Sequence, residues 1–346
     1  MSDTPTPTPN TNRAGLTRKD YGGHPSTLCS GCGHNSITNG IIAACYDLGL
    51  HPHQVVKLSG IGCSSKTPTY FMNRSHGFNT VHGRMPSIAT GVELANHTLT
   101  NLGVSGDGDS ASIGIGQFVH AIRRNTKLVY IIENNGTYGL TKGQFSATAD
   151  HEALDHYKNV NKYQALDLCE TAIICGASFV ARSFSGDRKQ MGELIKAAIA
   201  HGGCAIIDII SPCVTFNDHP ESTKSYAYMK EHDFPLQELG FVPSFEEIQV
   251  DYNPGEARNV KLHDGSHLIL KKLKEDYDPT SRLNALKTID AAKQENHVLT
   301  GLVYYNQDIP SHAKLLSLPD KPLKDFTEKE LRPTKEEFEA ILKDLK

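Results

Sequence analysis

The chain has 346 residues, 38% hydrophobic and 21% charged, enough to bury one large core with an appendage or two separate cores. A formal net charge of -4 supplies no general basic field, which argues against nucleic acid as the main partner. No apolar run reaches the length of a membrane span and no basic start precedes an apolar core, so neither a membrane segment nor a secretory leader is expected and a cytoplasmic location follows.

Residues 1–17 open with Thr-Pro repeats and Asn-rich sequence that cannot pack a core, and are expected to be a disordered tail. Short runs rich in Val and Ile at 54–59, 101–105, 127–133 and 204–210 predict strands buried on both faces. Helical patterns at 36–48, 87–99, 111–124 and 187–200 lie between them. Strands alternating with helices of this length predict an α/β fold with a doubly wound, mostly parallel sheet. Residues 18–216 are taken as that domain. From residue 217 onward glycine thins and charge rises, and helical pieces at 266–277, 279–293 and 335–345 predict a charged, helical C-terminal extension over 217–346 that wraps the domain or a partner subunit.

The segment from Gly106 to Thr141 carries the first chemistry. Asp107 stands between Gly106 and Gly108 just after an apolar strand, where glycine lets the backbone approach a bulky anion. The following helix points its first N–H groups back at that place, which favours a diphosphate. Asp107 then offers a hard oxygen to Mg²⁺, and Asn135, with the nearby carbonyl of Thr137, completes the protein side of such a shell one strand-helix-strand step later. A bare Gly-Asp-Gly is common in ordinary turns. The specific signal is its combination with Asn134-Asn-Gly-Thr-Tyr-Gly139, and neither a Gly-x-x-x-x-Gly-Lys-Ser/Thr loop nor a Gly-x-Gly-x-x-Gly fingerprint is present.

Sulfur carries the second. Eight cysteines are too few for a disulfide scaffold in a chain this long. Cys29 and Cys32 form a Cys-Ser-Gly-Cys turn before a helix, and Cys63 and Cys213 each follow a predicted strand, at the edge where open α/β sheets bind ligands. Four thiolates suit a [4Fe-4S] cluster. Zinc also accepts four cysteines, though a zinc ribbon usually shows two Cys-x-x-Cys knuckles and here there is one. Cys45, Cys169, Cys175 and Cys204 fall in apolar patterns and read as small buried hydrophobes.

Cys29-Ser-Gly-Cys-Gly-His34, Gly60-Ile-Gly-Cys-Ser-Ser65, His82-Gly-Arg84, Ala89-Thr-Gly91, Gly106-Asp-Gly-Asp109, Tyr138-Gly-Leu-Thr141, Gly143-Gln144 and Ser211-Pro-Cys-Val-Thr-Phe-Asn217 together resemble the β subunit of 2-oxoacid:ferredoxin oxidoreductases. The family more often has Pro at Ser30 and Asp-Asn at Asn134-Asn135, and neither departure removes a ligand.

The resemblance implies a thiamine diphosphate-binding domain, Mg²⁺ on Asp107, Asn135 and Thr137, and one [4Fe-4S] cluster on Cys29, Cys32, Cys63 and Cys213. Cofactor contacts are expected from Gly33, His34, Gly106, Asp107, Gly108, Asp109, Asn135, Thr137, Tyr138, Gly139, Leu140 and Thr141. It further implies CoA-dependent oxidative decarboxylation of a 2-oxoacid to acyl-CoA and CO₂, with single electrons leaving through the cluster to ferredoxin. The partner is an α subunit, or α with γ, supplying the pyrimidine-binding domain and the activating Glu, in a dimer of heterodimers. Lys66, three residues after Cys63, is a catalytic-site candidate that pairs a substrate's second carboxylate, which favours 2-oxoglutarate or a broad range over pyruvate. The alternative is a non-redox thiamine-dependent decarboxylase or lyase with structural or zinc-binding cysteines.

Overall fold

The computed structural model describes residues 10–244, 257–272 and 277–345. In chain order the first half contains α1 (Gly33–Asp47), β1 (Val55–Ser59), β2 (His76–Asn79), α2 (Met85–Ala95), β3 (Thr100–Gly106), α3 (Ile115–Arg124), β4 (Leu128–Asn134), β5 (Thr137–Tyr138) and β6 (Gln144–Phe145). Then come α4 (Leu168–Ile174), β7 (Phe179–Phe184), α5 (Arg188–His201), β8 (Cys204–Ile210), α6 (Tyr226–His232), β9 (Asp233–Pro235), β10 (Gln237–Val242), β11 (Ala257–Lys261) and β12 (His267–Lys272). The chain closes with α7 (Arg282–Gln294), β13 (Val298–Tyr305), α8 (His312–Leu315), α9 (Glu328–Leu331) and α10 (Lys335–Asp344).

Eight strands form one sheet in the order β2-β1-β3-β4-β8-β7-β13-β9, parallel throughout except where β13 runs antiparallel to β7. All seven residues of β4 and of β8 are buried, as their apolar runs predict. Alternate side chains feed two cores: Val129, Ile131, Ala205 and Ile207 face α1 and α5, whereas Tyr130, Ile132 and Ile206 face α2, α3, α4 and α7. Helices on both faces leave the carboxyl ends of β1, β3, β4 and β8 as one open edge, which the site occupies.

Four expectations are corrected. The helix predicted over 111–124 divides into a π-helical turn, Gly108–Ile113, and α3, because Gly114 lies against Gly83 and its N–H bonds the Asp109 carbonyl at 2.9 Å. Residues 266–277 do not begin a helix: β12 pairs there with β10 and β11, and residues 273–276 lie outside the described residues. The region after 217 is more than a wrapping layer, since β13 enters the main sheet and Ala285, Ile289 and Ala292 of α7 are buried against it. Of the expected tail, residues 1–9 lie outside the described residues. Residues 10–17 are ordered: Asn12 donates to the Tyr46 carbonyl at 2.7 Å and Arg13 to the Leu48 carbonyl at 2.6 Å. Among the described residues no helix is long and apolar enough to cross a membrane.

Candidate functional site

β3 ends at Gly106 and delivers Asp107 into the edge, where the side chain is 1% exposed. Its two carboxylate oxygens differ. Oδ2 accepts from the Gly136 N–H at 3.1 Å, the Thr148 hydroxyl at 2.7 Å and the Ser146 hydroxyl. Oδ1 accepts only a long 3.4 Å bond from the Asn135 N–H. Burial pushes the Asp107 carboxyl up, opposed by the Ser146 and Thr148 bonds. A carboxylate with one oxygen saturated and the other nearly free is fixed in orientation and open to a cation.

β4 ends at Asn134 and turns through Asn135 and Gly136 to β5. The Asn135 amide oxygen accepts from the Thr137 N–H at 3.0 Å, and the Asn217 amide donates to the Asn135 carbonyl at 2.8 Å. The Tyr138 hydroxyl donates to the Gly108 carbonyl at 3.0 Å, and its ring covers Gly108 so closely that a Cβ there would lie 2.5 Å from Cε1. A cavity of about 120 Å³ is lined by Asp107, Asn135, Thr137, Tyr138, Gly139, Leu140 and Thr141, with Gly106, Gly108, Asp109 and His34 around them. Asp109 borders it but works inward: Oδ1 takes the Gly83 N–H at 2.7 Å, the Ile61 N–H at 3.2 Å and His82, tying the loops after β1 and β2 to the grip. Gly60 admits this approach, because a Cβ there would lie 1.8 Å from Asp109 Oδ2.

The four predicted cysteines converge. Cys29, Cys32, Cys63 and Cys213 line a second cavity of about 200 Å³ with Lys66 and His34. The sulfurs of Cys63 and Cys213 would lie 3.5 and 3.6 Å from a Cβ on Gly139. All eight cysteines are free. Burial pushes the thiols of Cys63 and Cys213 up and that of Cys32 to about 12, opposed at Cys213 by the nearby backbone N–H groups of Thr215, Phe216 and Asn217 and at Cys32 by that of His34. The Thr215 hydroxyl donates to the Cys29 sulfur at 3.6 Å, a donor of the kind that a thiolate or cluster sulfide takes. The other cysteines stay out: Cys45, Cys169 and Cys204 are buried in the cores, and Cys175 packs at the edge of one.

His34, Cys63, Asn135, Gly139 and Leu140 line both cavities, so the two share a wall. His34 is 1% exposed, lies 2.6 Å from the Ser211 hydroxyl, and is pushed down to about 4 by burial, which keeps the imidazole neutral at physiological pH. Gly33 lines neither cavity and instead lets α1 pack on Ser185 and Ser211. Sequence reasoning missed Glu133, which lines the first cavity fully buried, with Thr67 donating to both its oxygens at 3.0 and 3.1 Å. Its signal was a carboxylate in an otherwise apolar strand. Ser146 and Thr148 were missed because they lie in a loop without pattern.

A parallel sheet whose carboxyl edge presents this oxygen set defines the class as a thiamine-dependent enzyme domain, and residues 56–209 match the family model described as thiamine pyrophosphate enzyme, C-terminal TPP binding domain. The β subunit of the 2-oxoacid:ferredoxin oxidoreductase of a Sulfolobus species is 35% identical over 301 residues, covering 86% of this chain and 88% of that one. The KorB subunit of 2-oxoglutarate synthase from Methanocaldococcus jannaschii is 33% identical, covering 73% of this chain and 95% of its own length. A solved 2-oxoglutarate:ferredoxin oxidoreductase from Magnetococcus marinus, with 2-oxoglutarate, coenzyme A and succinyl-CoA bound, gives a TM-score of 0.75 at 28% identity, covering 96% of this chain and 99% of that one. The chain belongs to the family of 2-oxoacid:ferredoxin oxidoreductase β subunits, and so is an oxidoreductase subunit that works with an α subunit.

Proposed function

We propose that the two adjoining cavities hold, respectively, the Mg²⁺-diphosphate end of thiamine diphosphate and a [4Fe-4S] cluster. The shared wall carries this reading, because electron release from a thiamine-bound substrate needs an acceptor within close reach. Asp107, the Asn135 amide oxygen and the Thr137 carbonyl would hold Mg²⁺, and Cys29, Cys32, Cys63 and Cys213 the cluster. When bound, the thiazolium supplies the carbon chemistry of decarboxylation and the cluster accepts electrons singly. The protein's own part is to orient: Tyr138 fixes the backbone at Gly108, Asp109 clamps the loops, and neutral His34 separates the two cavities without adding charge. The zinc alternative is less well supported, since the chain offers one Cys-x-x-Cys knuckle where a zinc ribbon usually has two.

Lys66 lines the sulfur cavity, and an ammonium there that pairs a substrate's second carboxylate would favour 2-oxoglutarate or a broad 2-oxoacid range. The relative with bound 2-oxoglutarate and coenzyme A supports that substrate and coenzyme A as acyl acceptor. Ferredoxin as electron acceptor, a dimer of heterodimers and a cytoplasmic location complete the proposal, with residues 18–216 as the cofactor domain and residues 217–346 meeting the partner.

Anaerobic co-purification with the α subunit is expected to give a brown protein with about four iron atoms per β chain, reducing a one-electron dye when given a 2-oxoacid and coenzyme A. Cys213→Ala is expected to abolish the visible cluster absorption and Cys204→Ala to preserve it. A colourless wild type, or equal spectra from the two variants, defeats the cluster assignment.

A further inference from the structure

We propose that Thr148, Asn134, Asp208 and Arg182 form a relay of positioning residues that sets the orientation of Asp107 and ties it to α7 in the C-terminal region. The inference rests on the reading of Asp107 as a Mg²⁺ ligand.

The relay begins at the saturated oxygen. The Thr148 hydroxyl has one proton facing two acceptors, Asp107 Oδ2 at 2.7 Å and the Asn134 amide oxygen at 2.9 Å. The Asn134 amide is locked in turn, because its NH₂ donates to Asp208 Oδ1 at 2.9 Å, which leaves the amide oxygen facing Thr148. Asp208 is locked because its Oδ2 accepts from Arg182 Nε at 2.9 Å. Arg182 is braced from its other side by Asp167 at 2.7 Å, and Asp167 also accepts from Lys293 of α7 at 3.3 Å. Fixing the Asn134 oxygen toward Thr148 therefore holds that hydroxyl between Asn134 and Oδ2, its one proton shared by the two acceptors, and leaves Oδ1 for the metal.

Burial makes this more than a list of bonds. Thr148, Asn134 and Asp208 are 1%, 3% and 1% exposed and Arg182 is 8% exposed. Charges taken this far from water are costly unless paired and fully bonded, and an apolar set of equal volume is often no less stable. A buried carboxylate-guanidinium pair on β8 and β7 is therefore a poor device for stability alone. It is a good device for holding an amide and a hydroxyl in one geometry beside a ligand, as outer-shell partners of metal sites do. The same four residues line a cavity of about 540 Å³.

The test is magnesium-dependent binding of thiamine diphosphate to the αβ complex, followed by calorimetry alongside the melting temperature without cofactors. Thr148→Val is expected to weaken magnesium binding about 10-fold or more, the size of effect outer-shell partners have, and Thr148→Ser to stay within about twofold of wild type. Asp208→Asn, which keeps the shape but loosens Arg182, is expected to raise the magnesium half-saturation several-fold. Wild-type magnesium dependence in Thr148→Val or in Asp208→Asn overturns the relay, as does a loss in Thr148→Ser equal to that in Thr148→Val. Asp107→Asn separates the two readings, since wild-type binding in that variant removes the ligand assignment itself.

Discussion

Glu133 sits one residue before the end of β4, fully buried, with Thr67 its hydrogen-bond donor and His34 Nδ1 3.6 Å away. Burial holds its carboxyl well above the ordinary value of 4.5, and Thr67 opposes this only in part. An acid whose folded pKa is raised favours folding in its protonated form. The penalty of ionising it is therefore absent below pH 4.5 and grows as pH rises from there toward the folded value. Glu133→Gln keeps an acceptor for Thr67 and cannot ionise. Its melting temperature is expected to match wild type near pH 4 and to exceed it increasingly toward pH 8. Parallel melting curves across that range would show that Glu133 is ionised and paired in the folded protein.

At the scale of elements, β1, β3, β4 and β8 were legible because each is a short, mostly apolar run, and buried parallel strands carry no alternation to misread, whereas β2, exposed along its length, and β7, which carries Arg182 and Ser183, escaped. The candidate site residues were legible for a related reason: Asp107, Asn135, Cys63 and Cys213 follow strand ends, where the fold itself gathers residues distant in sequence, and Cys29 and Cys32 stand in the turn that opens α1. What escaped was set by tertiary pairing. The stretch that forms β12, His267–Lys272, has a charged composition that suits a helix, yet β10 and β11 pair with both its edges. β13 was hidden inside a region judged by its average charge, although seven of its eight residues are buried. Leu302 of β13 is fully buried in the core shared with β7, so Leu302→Ala is expected to destabilise by about 2–5 kcal/mol. Phe338→Ala in α10, where the ring is half exposed, is expected to change stability by no more than about 0.5 kcal/mol. Denaturant unfolding measures both, and a Leu302→Ala cost as small as that of Phe338→Ala would return β13 to the status of a surface strap.

For the whole molecule, the two cavities define what the chain does alone and what it does not. On the proposed reading the oxygens of Asp107, Asn135 and Thr137 and the four thiols of Cys29, Cys32, Cys63 and Cys213 would address a diphosphate and a cluster, whereas activation of thiamine needs a further carboxylate at the aminopyrimidine. Glu133 does not suit that task, because Thr67 already bonds both its oxygens and burial favours its neutral form. Asp109 does not either, because the loops after β1 and β2 consume its carboxylate. Membership of a β-subunit family implies an α partner, to which the proposed reading assigns the missing carboxylate. The isolated β chain with Mg²⁺ and thiamine diphosphate is therefore expected to exchange the thiazolium C2 proton no faster than the free cofactor. Addition of the α subunit is expected to raise that rate by several orders of magnitude. Proton exchange followed by NMR after acid quench reads this directly, and fast exchange in the β chain alone would place the activating carboxylate on this chain.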